Sequence, residues 1–152
     1  MKTLLAFAAA VFLTVSSAFS QRWIDDSLLW VKAPLKNFAI AHFQTISSGK
    51  IEAVSQQLTV PLNKGIFNDT MLVFKNIYSK LQVQDVKYAT KTPEGEMIFV
   101  HISAAVSRRL PYDYFRTSPK LKAWVEKRGL DTRRYIALKV ESKGNQYKIV
   151  SR

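Results

Sequence analysis

The stretch of sequence from residue 97 to residue 107 alternates between two sets of side chains, and this alternation constrains the fold most strongly. One set is aliphatic and comprises Ile98, Val100, Ile102, Ala104 and Val106. The set between them is mixed and comprises Met97, Phe99, His101, Ser103 and Ala105. A period of two residues places the two sets on opposite faces of a β-strand. The sequence therefore predicts a long strand at residues 97–107 and a β-sheet around it.

Further segments predict strands before and after this one. Residues 82–89 alternate imperfectly, and the break at Gln84–Asp85 indicates a β-bulge. A turn at Thr92–Gly95, with proline at its second position, joins this segment to the long strand. Residues 134–141 and 146–150 predict a closing hairpin.

Helical patterns precede the predicted sheet. Pro34 suits the first turn of a helix, and apolar side chains then recur at three- and four-residue steps until Ser47–Gly49. Residues 51–57 predict a shorter helix, which a brief strand or extended link at 58–62 follows. A third helix with a polar N-cap is expected over residues 68–81.

Residues 109–131 interrupt the predicted sheet with a helix of their own. Ser118 is typical of an N-cap, Pro119 suits the first helical position, and the helix is expected to run to Arg128. The whole order of helices and strands shows neither an internal repeat nor a linker. It predicts a single α+β domain over residues 21–152.

The first twenty residues match a secretory signal peptide. Lys2 gives a positive start, residues 4–15 form an apolar run, and the small residues Ala18 and Ser20 suit a cleavage site. The apolar run is shorter than the roughly 18 residues that a membrane-spanning helix needs, and no later stretch approaches that length. We therefore expect secretion, no transmembrane segment and a mature chain that begins at Gln21, with cleavage after Ala18 as the alternative.

The chain contains no cysteine. A secreted domain of this size therefore relies on its packed core rather than on disulfides, and a thiol nucleophile is excluded. Asn68-Asp69-Thr70 is an N-glycosylation sequon, so Asn68 is a candidate glycan acceptor.

Two stretches of the sequence carry a resemblance to a known fold family. FAIAHFQTISSGKIEAV (residues 38–54) and YIALKVESKGNQYKIV (residues 135–150) resemble the first two helices and the closing hairpin of the nuclear-transport-factor-2-like superfamily, also called cystatin-like α+β cones. The resemblance covers roughly residues 34–151. The family includes small secreted proteins of nematodes. It implies helices packed in the hollow of a strongly bent antiparallel sheet. The chain departs from the family at residues 109–131, which are expected to form a basic helical insert between late strands.

Two histidines are the side chains expected to titrate near neutral pH. His42 lies on the apolar side of the first predicted helix and His101 on the mixed face of the long strand. Both are interpreted as structural, because neither belongs to a catalytic or zinc-binding motif. A hydrophobic pocket in the hollow is expected to draw on Phe38, His42, Phe99 and His101. No metal or other cofactor is expected.

Positive charge is concentrated late in the chain. The sequence has 23 basic and 11 acidic residues, and the segment 108–134, here called the basic segment, has nine basic and three acidic residues. A one-sided basic patch attracts polyanions and anionic lipid headgroups. Tyr112, Tyr114, Phe115 and Trp124 are interleaved with the charges, and they either contact a partner or dock the segment onto the core. The nine basic residues are Arg108, Arg109, Arg116, Lys120, Lys122, Lys127, Arg128, Arg133 and Arg134.

These features predict a secreted, non-enzymatic binding protein. Its ligand is expected to be a small apolar molecule in the hollow, or sulfated glycans or anionic lipid headgroups on the basic segment, or both. Nucleic acid is not expected, because a secreted chain rarely meets it. An isomerase- or hydrolase-like enzyme that uses His42 or His101 is the first alternative. A cystatin-type protease inhibitor is the second, although residues 82–86 (QVQDV) lack the glycine of the Gln-x-Val-x-Gly inhibitory loop.

Intact-mass analysis of protein from a secreting host tests the compartment. We expect the mass of a chain that begins at Gln21, plus a glycan mass that disappears in Asn68→Gln if Asn68 is occupied. A full-length product that retains residues 1–20 would contradict the prediction of a cleaved signal.

Overall fold

The computed structural model of the protein describes residues 31–63, 65, 75, 76, 82–103 and 109–151. These residues form four α-helices and four β-strands, which confirms the predicted α+β class. The elements are, in chain order, α1 (Ala33–Ser48), α2 (Ile51–Gln56), β1 (Val83–Thr92), β2 (Gly95–Ile102), α3 (Tyr114–Thr117), α4 (Pro119–Glu126), β3 (Tyr135–Lys143) and β4 (Gln146–Ile149).

The four strands form one antiparallel sheet in the order β1-β2-β3-β4. Val100 of β2 lies opposite Val86 of β1 and Ile136 of β3. The register shifts between Val83 and Asp85, which confirms the predicted bulge. Strands β2 and β3 are therefore direct neighbours in the sheet, although α3 and α4 separate them in the sequence.

One side of the sheet, here called the α1 side, is covered by α1 and α2. Buried residues of α1 belong to the same core cluster as the aliphatic face of β2, which confirms the predicted amphipathic helix. Gly49 ends α1 because it adopts a left-handed conformation with φ +70°, and its N–H donates to Ile46. The buried residues of α1 are Leu35, Ala39, His42, Phe43 and Ile46.

The opposite side of the sheet, here called the α4 side, is covered by α3 and α4. Leu121 and Val125 of α4 are fully buried against the mixed face of β2, and the rings of Phe99 and Phe115 stack with centroids 5.7 Å apart. The Ser118 side chain accepts a hydrogen bond from the backbone N–H of Leu121, as the predicted N-cap requires. The sheet therefore has a hydrophobic core on each side.

Several predicted boundaries differ from the structure or lie outside it. Strand β2 ends at Ile102 rather than at residue 107, and residues 104–108 lie outside the described residues. Helix α4 ends at Glu126, because a turn begins at Lys127. The predicted helix over residues 68–81 is described only at Lys75 and Asn76, which are helical. The predicted signal peptide and Asn68 also lie outside the described residues.

The short helix α3 was not predicted, and a buried carboxylate explains why it forms. Asp113 caps α3, with Oδ1 accepting from the backbone N–H of Phe115 at 2.9 Å. The same oxygen accepts from the backbone N–H of Ala137 in β3 at 3.1 Å. Asp113 therefore ties the start of α3 directly to the sheet. Burial raises the pKa of Asp113 above its usual value, and the hydrogen bonds from Arg109 and the backbone oppose that shift.

Arg109 binds Asp113 and adds further hydrogen bonds to the backbone before and within β3. Its Nη1 donates to Asp113 Oδ2 at 2.8 Å and to the Tyr135 carbonyl at 2.9 Å, and its Nη2 donates to the Thr132 carbonyl. The Asp113 side chain is fully buried in this arrangement. The Asp113 carboxylate and the Arg109 guanidinium thus connect the start of α3 to β3 and to the segment before β3.

Asp113→Ala is expected to lower the free energy of unfolding by about 3–5 kcal/mol, because it leaves two buried backbone N–H groups without their acceptor and the mostly buried Arg109 guanidinium without its carboxylate partner. Urea unfolding measures the change. Asp131→Ala is the matched control, because that aspartate pairs with Arg133 in solvent and its loss is expected to matter little. Equal stability of the two variants would contradict the assignment of Asp113 as the central tie.

Candidate functional site

The structure divides the nine residues of the predicted basic patch into different roles, and Arg109 does not belong to an exposed surface. Its guanidinium is bound to the buried Asp113 and to two backbone carbonyls, and it lies 5.6 Å from the centre of the Phe115 ring. The inclusion of Arg109 among the surface cations is therefore corrected, since its guanidinium is paired with a buried carboxylate and bonded to two backbone carbonyls. Arg108 lies outside the described residues.

Two further cations have neighbouring carboxylates as partners. Arg133 pairs with Asp131 through two hydrogen bonds of 2.9 and 3.0 Å, and these bonds lower the pKa of Asp131 to about 2. Lys122 lies 4.0 Å from Glu126, a looser pair with both side chains about half exposed. These residues contribute less net positive charge than their number suggests.

Lys120, Trp124 and Lys127 form the candidate site, here called the α4 surface. Lys120 and Trp124 are four residues apart on α4, and Lys127 follows three residues later in the turn that ends the helix. Both lysines are exposed and have no ion-pair partner among the described residues. Arg116, on the last turn of α3, is also exposed and has no such partner. The α4 surface therefore presents uncompensated positive charge around a half-buried indole.

Arg128 fixes the position of that indole. Its guanidinium lies 3.6 Å from the centre of the Trp124 ring, and its Nη1 donates to the Trp124 carbonyl at 3.0 Å. A guanidinium stacked on an indole at this distance is a strong cation–π contact. Trp124 also packs partly against the core of the α4 side. The α4 surface is therefore held in a defined geometry rather than carried on a mobile loop.

The other aromatic residues of the basic segment dock it onto the core. Tyr112, Tyr114 and Phe115 are all buried. The sequence left two roles open for these aromatic residues, contact with a partner or docking onto the core. The structure assigns docking to these three. Trp124 alone of the four keeps a partly exposed ring.

An open groove of about 380 Å³ lies on the β3–β4 hairpin, and it was not predicted. Strand pairing places Glu141 opposite Lys148 and Lys143 opposite Gln146. These residues share a face with Ala137 of β3, because side chains of one strand alternate, so they lie on the α4 side of the sheet. The alternation of residues 135–143 was a signal that could have found them. The groove is lined by Thr59, Glu141, Lys143, Gln146 and Lys148.

The four residues of the predicted hydrophobic pocket do not come together, because the sheet separates them. Phe38 and His42 lie on the α1 side, where Phe38 packs against Tyr147 at 5.7 Å. Phe99 is fully buried on the α4 side, and the His101 ring stacks on Tyr135 with centroids 4.7 Å apart.

His42 is a buried structural histidine with both ring nitrogens satisfied. Gln57 Oε1 is only an acceptor, so Nδ1–H of His42 donates to it at 2.6 Å. Nε2 consequently accepts from the Tyr112 hydroxyl at 2.8 Å. These two hydrogen bonds connect α1 to the end of α2 and to the segment before α3. Burial lowers the pKa of His42 to about 4, against the smaller effect of the Gln57 hydrogen bond.

The described residues do not assemble a metal or acid–base site around the histidines. They contain no group of three His, Asp or Glu side chains placed to hold a metal ion. In the described part of the chain, the hydrogen-bond partners of His42 are an amide and a phenol, and Nε2 of His101 has no partner. No helix in the described ranges is both long and apolar enough to cross a membrane.

Comparison of the chain with protein-family models, with curated proteins and with solved structures found no match.

The buried His42 makes stability dependent on pH. The unfolded state takes up a proton near pH 6.5, whereas folded His42 does so only near pH 4. Its contribution is therefore complete above about pH 6.5 and is lost as the pH falls towards 4, by about 3 kcal/mol at most. Urea unfolding at several pH values is expected to show a flatter dependence for His42→Gln than for the wild type. Parallel curves for the two proteins would contradict the burial of a neutral imidazole.

Proposed function

We propose that this protein is a secreted, non-enzymatic binding protein that holds sulfated glycans on the α4 surface. The observation that carries the proposal is the pair of exposed lysines, Lys120 and Lys127, two helical turns apart and without a carboxylate partner among the described residues. Uncompensated cations on one face concentrate a polyanion and release its counterions on binding.

The rigidity of the surface supports binding rather than mere solubility. In sequence the two lysines stand on either side of Trp124, whose indole Arg128 and the core hold in place. A fixed arrangement loses less conformational freedom when a ligand orders it.

A glycan fits this surface better than an anionic bilayer does. Proteins that lie on a bilayer insert aromatic or aliphatic side chains below the headgroups. Among the described residues, Val60 is the only large apolar residue that is largely exposed, at 53%, and it lies outside the basic segment. The buried Tyr112, Tyr114 and Phe115 are unavailable for insertion. The signal predicted at residues 1–20 would deliver the protein to the compartment where sulfated glycans occur.

The proposal of a non-enzymatic role rests on the surroundings of the two imidazoles. His42 is a hydrogen-bonded core residue, and neither ring has a carboxylate hydrogen-bond partner among the described residues. An imidazole that acts as a general base needs an orienting partner and access to substrate. A small apolar ligand is a weaker candidate than a glycan, because the sheet divides the residues expected to line its pocket.

Retention on immobilised heparin along a NaCl gradient tests the α4 surface. The double variant Lys120→Ala/Lys127→Ala is expected to elute at lower salt than the wild type, and its log–log dependence of affinity on salt is expected to be shallower by about 2. Arg128 stays unchanged in this variant, because its removal would release the indole as well as a charge.

Lys36→Ala/Lys50→Ala is the matched control, because both residues are exposed lysines of the α1 side and the charge change is the same. Elution of the two variants at the same salt would show that net charge alone governs retention and would overturn the proposed site. Binding to phosphatidylserine-containing vesicles that matches heparin binding and depends on Lys120 and Lys127 would overturn the choice of a glycan.

A further inference from the structure

We infer that the groove on the β3–β4 hairpin is a second glycan-binding subsite, so that one extended sulfated chain occupies both the groove and the α4 surface. This inference rests on the proposed function and names a longer and more specific ligand for it. The groove lies beyond the basic segment in sequence, yet it opens on the same side of the sheet as α4.

The strand register places the groove on that side. Met97 of β2 is buried under α4 and lies opposite Lys139 of β3, so the Lys139 side chain leaves the sheet on the α4 side. Glu141 and Lys143 follow at steps of two residues and project the same way. Lys148 lies opposite Glu141 in the strand register of the hairpin and therefore projects to the same side. Cations therefore continue along β3 and β4 on the side where the α4 surface lies.

The lining of the groove has the chemistry of a charged sugar rather than of a plain polyanion. Lys143 and Lys148 supply positive charge for sulfate or carboxylate groups. The Glu141 carboxylate only accepts hydrogen bonds, so it favours a ligand that brings a donor such as a sugar hydroxyl. The Gln146 amide both donates and accepts. A polyphosphate carries no hydroxyl donors along its chain, so Glu141 would repel it without compensation.

Two subsites on one face make binding depend on the length of the ligand. A chain that reaches both subsites gains from the second one as an intramolecular contact, whereas a short oligosaccharide fills only one. Exposed lysines release about one counterion each when they bind a polyanion, so the second subsite also steepens the salt dependence.

The experiment measures affinity for heparin oligosaccharides of increasing length, with wild type, Lys143→Ala/Lys148→Ala and the control Lys36→Ala/Lys50→Ala. For long chains, we expect the groove variant to bind about tenfold more weakly at physiological salt, with a log–log salt slope shallower by about 2. For the shortest chains that bind, we expect the three proteins to differ little.

The outcomes separate this inference from the proposed function. Loss of binding in Lys120→Ala/Lys127→Ala, with wild-type affinity and slope in the groove variant at every length, would overturn the second subsite and leave the α4 surface in place. Long-chain affinities that are equal in both variants and in the control would overturn both. A loss in the groove variant that is equally large for short and long chains would overturn the single extended chain.

Glu141→Gln tests the sugar chemistry independently. The wild type is expected to prefer heparin over inorganic polyphosphate of matched charge, and the variant is expected to lose much of that preference because its repulsive charge is gone. The exchange preserves the size of an exposed side chain, so the fold is expected to remain intact. An unchanged preference would overturn the role of Glu141 in selecting a hydroxyl-bearing ligand.

Discussion

The buried carboxylate of Asp113 is the interaction on which the rest of the structure depends. It accepts hydrogen bonds from α3, from β3 and from Arg109, so it fixes the segment between β2 and β3 against the sheet. Phe115 and the buried side of α4 pack next to this anchor, over the mixed face of β2. The placement of the exposed lysines follows from the same anchor, because Lys120 and Lys127 lie on the side of α4 that faces away from the core.

The fold, rather than the sequence, determines which basic residues have internal partners and which remain available on the surface. Arg109 is used internally, Arg133 is paired with Asp131, and Arg128 is stacked on Trp124. What remains for a partner is a smaller set of cations with a definite geometry. The lysines of the closing hairpin join that set, because strand alternation directs them to the α4 side. An anionic chain would thus meet two separate groups of cations on one side of the sheet.

The local elements were largely predictable from the sequence, because their signals are local. The alternation of β2, the bulge near Asp85, the Gly49 stop and the Ser118 cap each depend on neighbouring residues. The bulge, the stop and the cap are found as predicted, whereas the strand ends at Ile102 instead of residue 107. Helix α3 was missed because it is a single turn whose cap also bonds to Ala137, 24 residues away in sequence. The pocket predicted around His42 failed to assemble for a related reason. Facing positions on separate elements do not reveal which side of the sheet each element covers.

The sequence by itself determined the α+β class, the amphipathic faces of α1 and β2 and the excess of positive charge after residue 107, since periodicity and composition are properties of the chain alone. Only the tertiary structure decided that α3 and α4 cover the side of the sheet opposite α1, that His42 is held between Gln57 and Tyr112, and which cations remain uncompensated. The physical reason is that burial and pairing depend on long-range contacts. A lysine or a histidine acquires its role from the groups that the fold places around it.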